Sequence, residues 1–136
     1  MAFGFVPAKI NQGHMQGWEY LPAYSITPKV GMALYFDGGY LKASDGTTSK
    51  KPTYISMLEA STACTAGDLI PVIRIAPDAL YDVPTSTSLS SINVGAKVTI
   101  SDGMQITATT TNGTVEIVDK HNAGTSAGDI ITVRIP

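Results

Sequence analysis

The residues able to do chemistry are few, and their spacing limits what each can do. Two Gly-Asp steps, Gly67-Asp68 and Gly128-Asp129, each precede a strand-like run that carries one arginine, Arg74 and Arg134. Paired, they would make two carboxylate–arginine sites. An Asp in a turn more simply accepts hydrogen bonds from its own backbone, before a strand that displays its arginine outward. His14 and His121 lie far apart in polar, Gly/Asn-rich stretches, with no third ligand at metal spacing. Cys64 sits among Ser, Thr and Ala without a neighbouring base, so it reads as a small buried residue rather than a nucleophile. The carboxylates Asp37, Asp45, Asp78, Asp82, Asp102 and Asp119 all fall in stretches that read as turns or loops. There is no Gly-x-Ser-x-Gly elbow, no phosphate-cradling Gly loop and no zinc spacing. Asn112-Gly113-Thr114 fits a glycosylation pattern, but Asn-Gly between strand-like runs is better explained as a hairpin turn. The expectation is a protein with no catalytic residues, no metal and no cofactor.

Composition narrows the remaining classes. The chain has 136 residues, 43% of them apolar, enough to bury a core without staples. Only 15% are charged, against about 25% in an ordinary globular protein. Ser and Thr, 27 in all, fill the gap. With a net charge of −2 and no basic cluster larger than Lys50-Lys51, neither a nucleic acid nor an anionic membrane surface is an expected partner. No apolar run approaches the ~18 residues of a membrane span. The single cysteine excludes a disulfide within the chain. The first residues carry no leading positive charge, so no signal peptide is expected, and synthesis in a reducing compartment is.

The elements that would position any site come from an internal repeat. Val30-Gly31 through Asp37-Gly38 recurs as Val94-Gly95 through Asp102-Gly103. Ala66-Gly67-Asp68 through Arg74-Ile75 recurs as Ala127-Gly128-Asp129 through Arg134-Ile135. From Gly31 to Gly67 is 36 residues, and from Gly95 to Gly128 is 33. Period-2 alternation predicts strands at about Met32–Phe36, Tyr40–Ala43, Thr53–Leu58 and Leu69–Ile75 in the first copy. In the second, Lys97–Ser101, Met104–Thr109, Thr114–Lys120 and Ile131–Ile135 alternate in the same way, with tight type I′ turns at Asp102-Gly103 and Asn112-Gly113. Asp78–Tyr81 carries a helix-cap pattern that Pro84 ends at once. The expected fold is all-β: about eight strands, from two tandem copies of a four-strand unit, forming a small barrel or sandwich.

The expected boundaries are an extended arm at 1–29, a first β unit at 30–84, a Ser/Thr-rich connector at 85–93 and a second unit at 94–136. The arm holds Phe3, Phe5, Trp18, Tyr20 and Tyr24, five of the ten aromatics, without regular periodicity. It either wraps its own barrel or docks on another chain. These five are the candidate partner-binding residues, and Thr99, Thr107, Thr109, Thr111 and Thr132 are expected to line the outer faces of the second unit. A surface so poor in charge fits burial in an assembly, since interface cores are depleted of charge.

Three stretches carry a family resemblance. They are Val30-Gly-x-x-Leu34 with Gly38-Gly39-x-Leu41-x-Ala43-Ser44-x-Gly46, then Lys51-Pro52-Thr53-Tyr54-Ile55-Ser56, then Ala66-Gly67-Asp68-x-Ile70-Pro71-Val72-x-Arg74-Ile75. Together they resemble the small capsid decoration, or head cement, proteins of tailed bacteriophages. The resemblance covers about residues 28–84 and, more weakly, the second copy. It implies a structural protein of the virion exterior, made in the host bacterial cytoplasm, with the major capsid protein as partner and no enzymatic activity or cofactor. Such proteins clamp neighbouring capsid subunits, often as trimers, and the two copies here make a pseudo-symmetric monomer the alternative to a homo-trimer. The resemblance also implies that the aromatic arm faces the capsid, so that removing residues 1–24 would cost shell binding and leave the fold. A different class of function is a carbohydrate- or ligand-binding β module of a phage tail or adhesion apparatus, with Trp18, Tyr20 and Tyr24 as a stacking platform. An enzyme built from loop acids is the third.

Overall fold

The computed structural model describes residues 4–9, 18–46 and 51–136, and every regular element among them is a β-strand. The strands are β1 (Val6–Lys9), β2 (Trp18–Ala23), β3 (Ala33–Asp37), β4 (Tyr40–Ala43), β5 (Tyr54–Ser56) and β6 (Asp68–Arg74). After these come β7 (Leu80–Pro84), β8 (Lys97–Val98), β9 (Ile100–Ser101), β10 (Gln105–Ile106), β11 (Val115–Asp119) and β12 (Ile130–Arg134). Strands β2-β4-β3-β5-β6 close into a barrel. A second, five-stranded sheet runs β1-β7-β12-β11-β8, with β9–β10 as a separate hairpin beside it. The molecule is therefore all-β, and its first half is a barrel.

Alternation explains which face each strand buries. On β6, Ile70 and Val72 point into the barrel with Leu34, Leu41 and Tyr54. Ile73 and Ile75 join a second core on the other side, with Ala33 and Ile55 from the barrel's outer wall. That second core is filled mainly from the second sheet: Tyr81, Val83, Val98, Ile117, Ile131 and Val133 among others. The outer wall of β3, β5 and β6 thus serves as a floor for the second sheet, which is why those strands are apolar on both faces.

The repeat is real but wider than its sequence blocks suggest, and the expected boundaries at 29/30 and 84/85 do not follow the strands. Leu21-Pro22-Ala23 on β2 and Val83-Pro84-Thr85 at the end of β7 occupy matching places. Leu21 pairs with Ile70 and Pro22 with Leu69; Val83 pairs with Ile131 and Pro84 with Ile130. Ala23 makes a parallel bridge to Leu41, and Thr85 makes one to Ile106. The Ala23 and Thr85 carbonyls accept from Gly67 and Gly128 respectively. Each unit therefore begins with its own leading strand, β2 or β7, and ends on β6 or β12. The described part of the expected arm is not an arm: β1 is hydrogen-bonded to β7 and β2 spans six residues of β6. Its aromatics obscured it, because Trp18, Tyr20 and Pro22 face outward where a half-buried strand ordinarily shows polar groups.

Other local expectations shift for identifiable reasons. The helix-cap pattern before Pro84 resolves as β7, which inserts between β1 and β12 and has its ladder satisfied on both sides. Asp102 and Gly103 both take positive φ, as a type I′ turn requires, and the Met104 N–H donates to the Ser101 carbonyl. At Asn112-Gly113 only Asn112 has positive φ, so this turn is of another kind. Gly113 is needed for a different reason: a Cβ there would run into the Lys97 carbonyl. Of the threonines expected on outer faces, Thr109 and Thr111 are exposed but Thr99 and Thr132 are buried. The Thr99 hydroxyl lies 2.6 Å from that of Thr107, and its backbone bonds to Thr107 and Thr109 split the expected Lys97–Ser101 strand into β8 and β9.

Candidate functional site

The residues singled out for chemistry are engaged in structure. Asp68 accepts from the Thr65 N–H at 2.8 Å; Asp129 accepts from Ser126 at 3.1 Å and Gly124 at 2.9 Å. Neither meets its arginine. Arg74 instead clamps Glu19 with two hydrogen bonds of 3.1 and 3.3 Å, and Arg134 clamps Glu116 with two of 2.7 and 3.3 Å. These glutamates escaped the sequence reading because their strands approach only in the fold. Cys64 is partly covered, and its burial together with the charge of Asp68 pushes the thiol pKa up, away from nucleophilic use. His14 lies outside the described residues. His121 Nε2 sits 2.6 Å from the Thr132 hydroxyl, which itself donates to Asp82 at 2.6 Å. That hydroxyl is buried and committed to a carboxylate. Among the described residues no three His, Cys, Asp or Glu side chains gather to hold a metal ion, and no helix is long and apolar enough to cross a membrane.

The candidate partner-binding aromatics part company. Phe3 lies outside the described residues. Phe5 is only 1% exposed: its ring meets Tyr81 edge-on at 6.4 Å in the second core, and its N–H donates to the Gly31 carbonyl at 2.7 Å. It is a core anchor and is withdrawn as a partner-binding residue. Tyr24 is exposed but leans on Tyr40, ring centroids 5.7 Å apart and tilted by 56°. Trp18 and Tyr20 are 59% and 62% exposed, two residues apart on one face of β2.

That face continues onto β6, where the sequence reading had no candidate. Trp18 pairs with Ile73, Tyr20 with Pro71 and Pro22 with Leu69, and Leu69 is 63% exposed. Trp18, Tyr20, Pro22, Leu69 and Pro71 form an apolar strip across two hydrogen-bonded strands, while the Glu19–Arg74 pair lies on the opposite face of the same strands. Leu69 and Pro71 were hidden within the continuous apolar run 69–73, which gives no sign of which residues face out. A groove of 540 Å³ lies nearby between the units, walled by Tyr35, Phe36, Tyr54 and Pro77 with Lys51 and Arg74 among its lining. Arg74 stands 5.5 Å above the Tyr54 ring there. The strip offers apolar contact and the groove ring faces with a cation, so both suit binding rather than bond-breaking. No family model, curated protein or solved structure matches the chain.

Proposed function

We propose that this chain is a structural virion protein that binds the outer surface of a phage capsid and stabilises the shell by clamping neighbouring capsid subunits. The observation that carries the proposal is the exposed Trp18–Tyr20–Leu69 strip on a rigid pair of strands, in a chain only 15% charged. Large aromatic and aliphatic groups held on a sheet lose little conformational freedom when covered, which favours their use as anchors of an interface. The contact surface moves from a detachable arm to the barrel wall. Expanded shells of the phage that encodes the chain should retain the protein on sedimentation, at a simple ratio to the shell subunit. The Trp18→Ala, Tyr20→Ala double variant should lose at least tenfold in affinity, as hot-spot aromatics do, with its melting temperature nearly unchanged. Equal retention of the variant would sink the proposal.

A second reading rests on the same two rings. Trp18 and Tyr20, side by side and exposed, could stack on sugars in a carbohydrate-binding module of a tail or adhesion apparatus. Glycan-array binding that the double variant abolishes, with no retention on shells, would favour it.

A further inference from the structure

We infer that the outer edge of β2 accepts an extended strand from the partner protein, added antiparallel beside Trp18–Leu21, so that docking adds a strand as well as covering a face. The inference rests on the proposed capsid-binding role and specifies how the partner engages. It comes from comparing the two units. Their leading strands, β2 and β7, match in partner and register, and each meets its unit's hairpin strand by one parallel bridge, Ala23 to Leu41 or Thr85 to Ile106. Beyond that bridge each leading strand overhangs. In the second unit the overhang is filled: β1 lies antiparallel along it, Val6 opposite Asp82, Pro7 opposite Tyr81 and Lys9 opposite Leu80. In the first unit no described strand lies along the matching edge, and Trp18 and Tyr20 stand exposed beside it.

The backbone at that edge is set for pairing. Pro71, opposite Tyr20, has no N–H, and its carbonyl accepts from Met57 on the β5 side at 2.9 Å. Tyr20 and Pro71 are therefore a non-hydrogen-bonded pair, and the Tyr20 N–H and C=O point away from β6, to the side where no described strand lies. Asp82 holds the same place in β7, and there Val6 lies opposite it. An unpaired strand edge of this kind is a template for another chain unless something covers it. The occupant suited to it is uncharged where it crosses the strip, because the exposed side chains there, Trp18, Tyr20 and Leu69, carry no charge, and on the opposite face Glu19 is already paired with Arg74. It carries an apolar side chain opposite Tyr20, as β1 does with Val6.

The chain supplies its own probe: an end-capped peptide of the Gly4–Lys9 sequence, which already fits the matching edge of β7. Titrated into the intact protein at millimolar concentration, it should slow hydrogen exchange at the Tyr20 amide by about tenfold, leaving the Asp82 amide, already covered by β1, unchanged. Peptide binding, read by the change in fluorescence of the exposed Trp18 beside the edge, should persist in Tyr20→Phe and be lost in Tyr20→Pro, which removes the edge donor. No protection at the Tyr20 amide of the wild type, or a Trp18 response to the peptide that Tyr20→Pro retains, overturns strand addition. So does concentration-dependent dimerisation in sedimentation that Tyr20→Pro removes, since the edge would then belong to a second copy. None of these outcomes touches retention on shells, so a failure here is distinguishable from failure of the capsid role.

Discussion

At the scale of single residues, the most telling group is the Thr132 hydroxyl. It donates to Asp82 and so accepts from His121 Nε2–H, which ties the turn after β11 to β7 across β12. His121 and Asn122 both hold positive φ in that turn, a conformation that needs such support in non-glycine residues. Thr132→Val keeps the shape and removes the hydroxyl, leaving Asp82 and His121 to find water in a half-buried place. A loss of about 1–3 kcal/mol is expected in urea unfolding with the slope unchanged. Tyr81 gives a second test. Burial, and to a lesser degree Asp78, raises its phenol above the ordinary 10.0, while the Ala76 N–H works the other way. A raised folded-state pKa means the phenolate is disfavoured in the fold. This contribution is present below about pH 10 and is lost as pH rises, because the unfolded chain ionises first. As pH rises above about 10 the wild type should therefore lose more stability than Tyr81→Phe, read as the difference in their denaturant midpoints.

Among the elements, β1 shows how a short segment with few residues in the core can still organise it. Its entry is fixed by Phe5, buried against Tyr81 and bonded to Gly31, and by Gly4, whose positive φ and close approach to Gly31 leave no room for a Cβ. Phe5→Ala should cost about 3–5 kcal/mol by removing a fully buried ring, measured by chemical denaturation. Removing the first nine residues should in addition uncover the β7 edge and promote association. Loss of fold, rather than loss of shell binding alone, is thus expected for the deletion of residues 1–24, since it also removes β2. The sequence made most strands legible through period-two alternation of apolar residues: β3, β4 and β6 fall within a residue or so of their expected limits, as do β11 and β12, where Val and Ile alternate with Glu116, Thr132 and Arg134. It concealed β2 and β7. In β2 the outward residues are aromatic and proline rather than polar, and in β7 the Asp78 cap and Pro84 imitate helix punctuation. The matching Leu21-Pro22-Ala23 and Val83-Pro84-Thr85 carry the only trace that both units start with a strand, too short to stand out without the pairing. The exposed strip was half legible: Trp18 and Tyr20 were singled out, while Leu69 and Pro71 could not be told from core.

For the whole molecule, the question is whether two like units behave as one. The second core takes Phe5, Ala33, Ile55, Ile73 and Ile75 from the N-terminal half and its remaining members from the other, so each unit would expose much of that surface if the other unfolded. The joint is sealed by the turn between β9 and β10. The Gly103 carbonyl accepts from the Ala33 N–H at 2.8 Å and the Gly103 N–H donates to the Ser44 carbonyl at 2.7 Å. A Cβ on Gly103 would sit 2.7 Å from Met32 Cγ and 2.8 Å from the Ala33 carbonyl oxygen, at a φ of +72°. Gly128 is the control: its φ is +92°, but a Cβ there meets nothing within 4 Å. Gly128→Ala should therefore cost only the backbone penalty, about 1–2 kcal/mol, while Gly103→Ala adds a steric clash with the neighbouring unit and should cost more, about 3–5 kcal/mol. Wild type and Gly128→Ala should unfold in one transition, with Trp18 fluorescence from the first unit and amide exchange at Ile117 and Val133 from the second giving the same midpoint. If Gly103→Ala lowers both midpoints together, the units are a single cooperative body and the strip on β2 is held by the full stability of the molecule. If it instead separates them, the barrel folds on its own, and the second unit is carried by it as a dependent half.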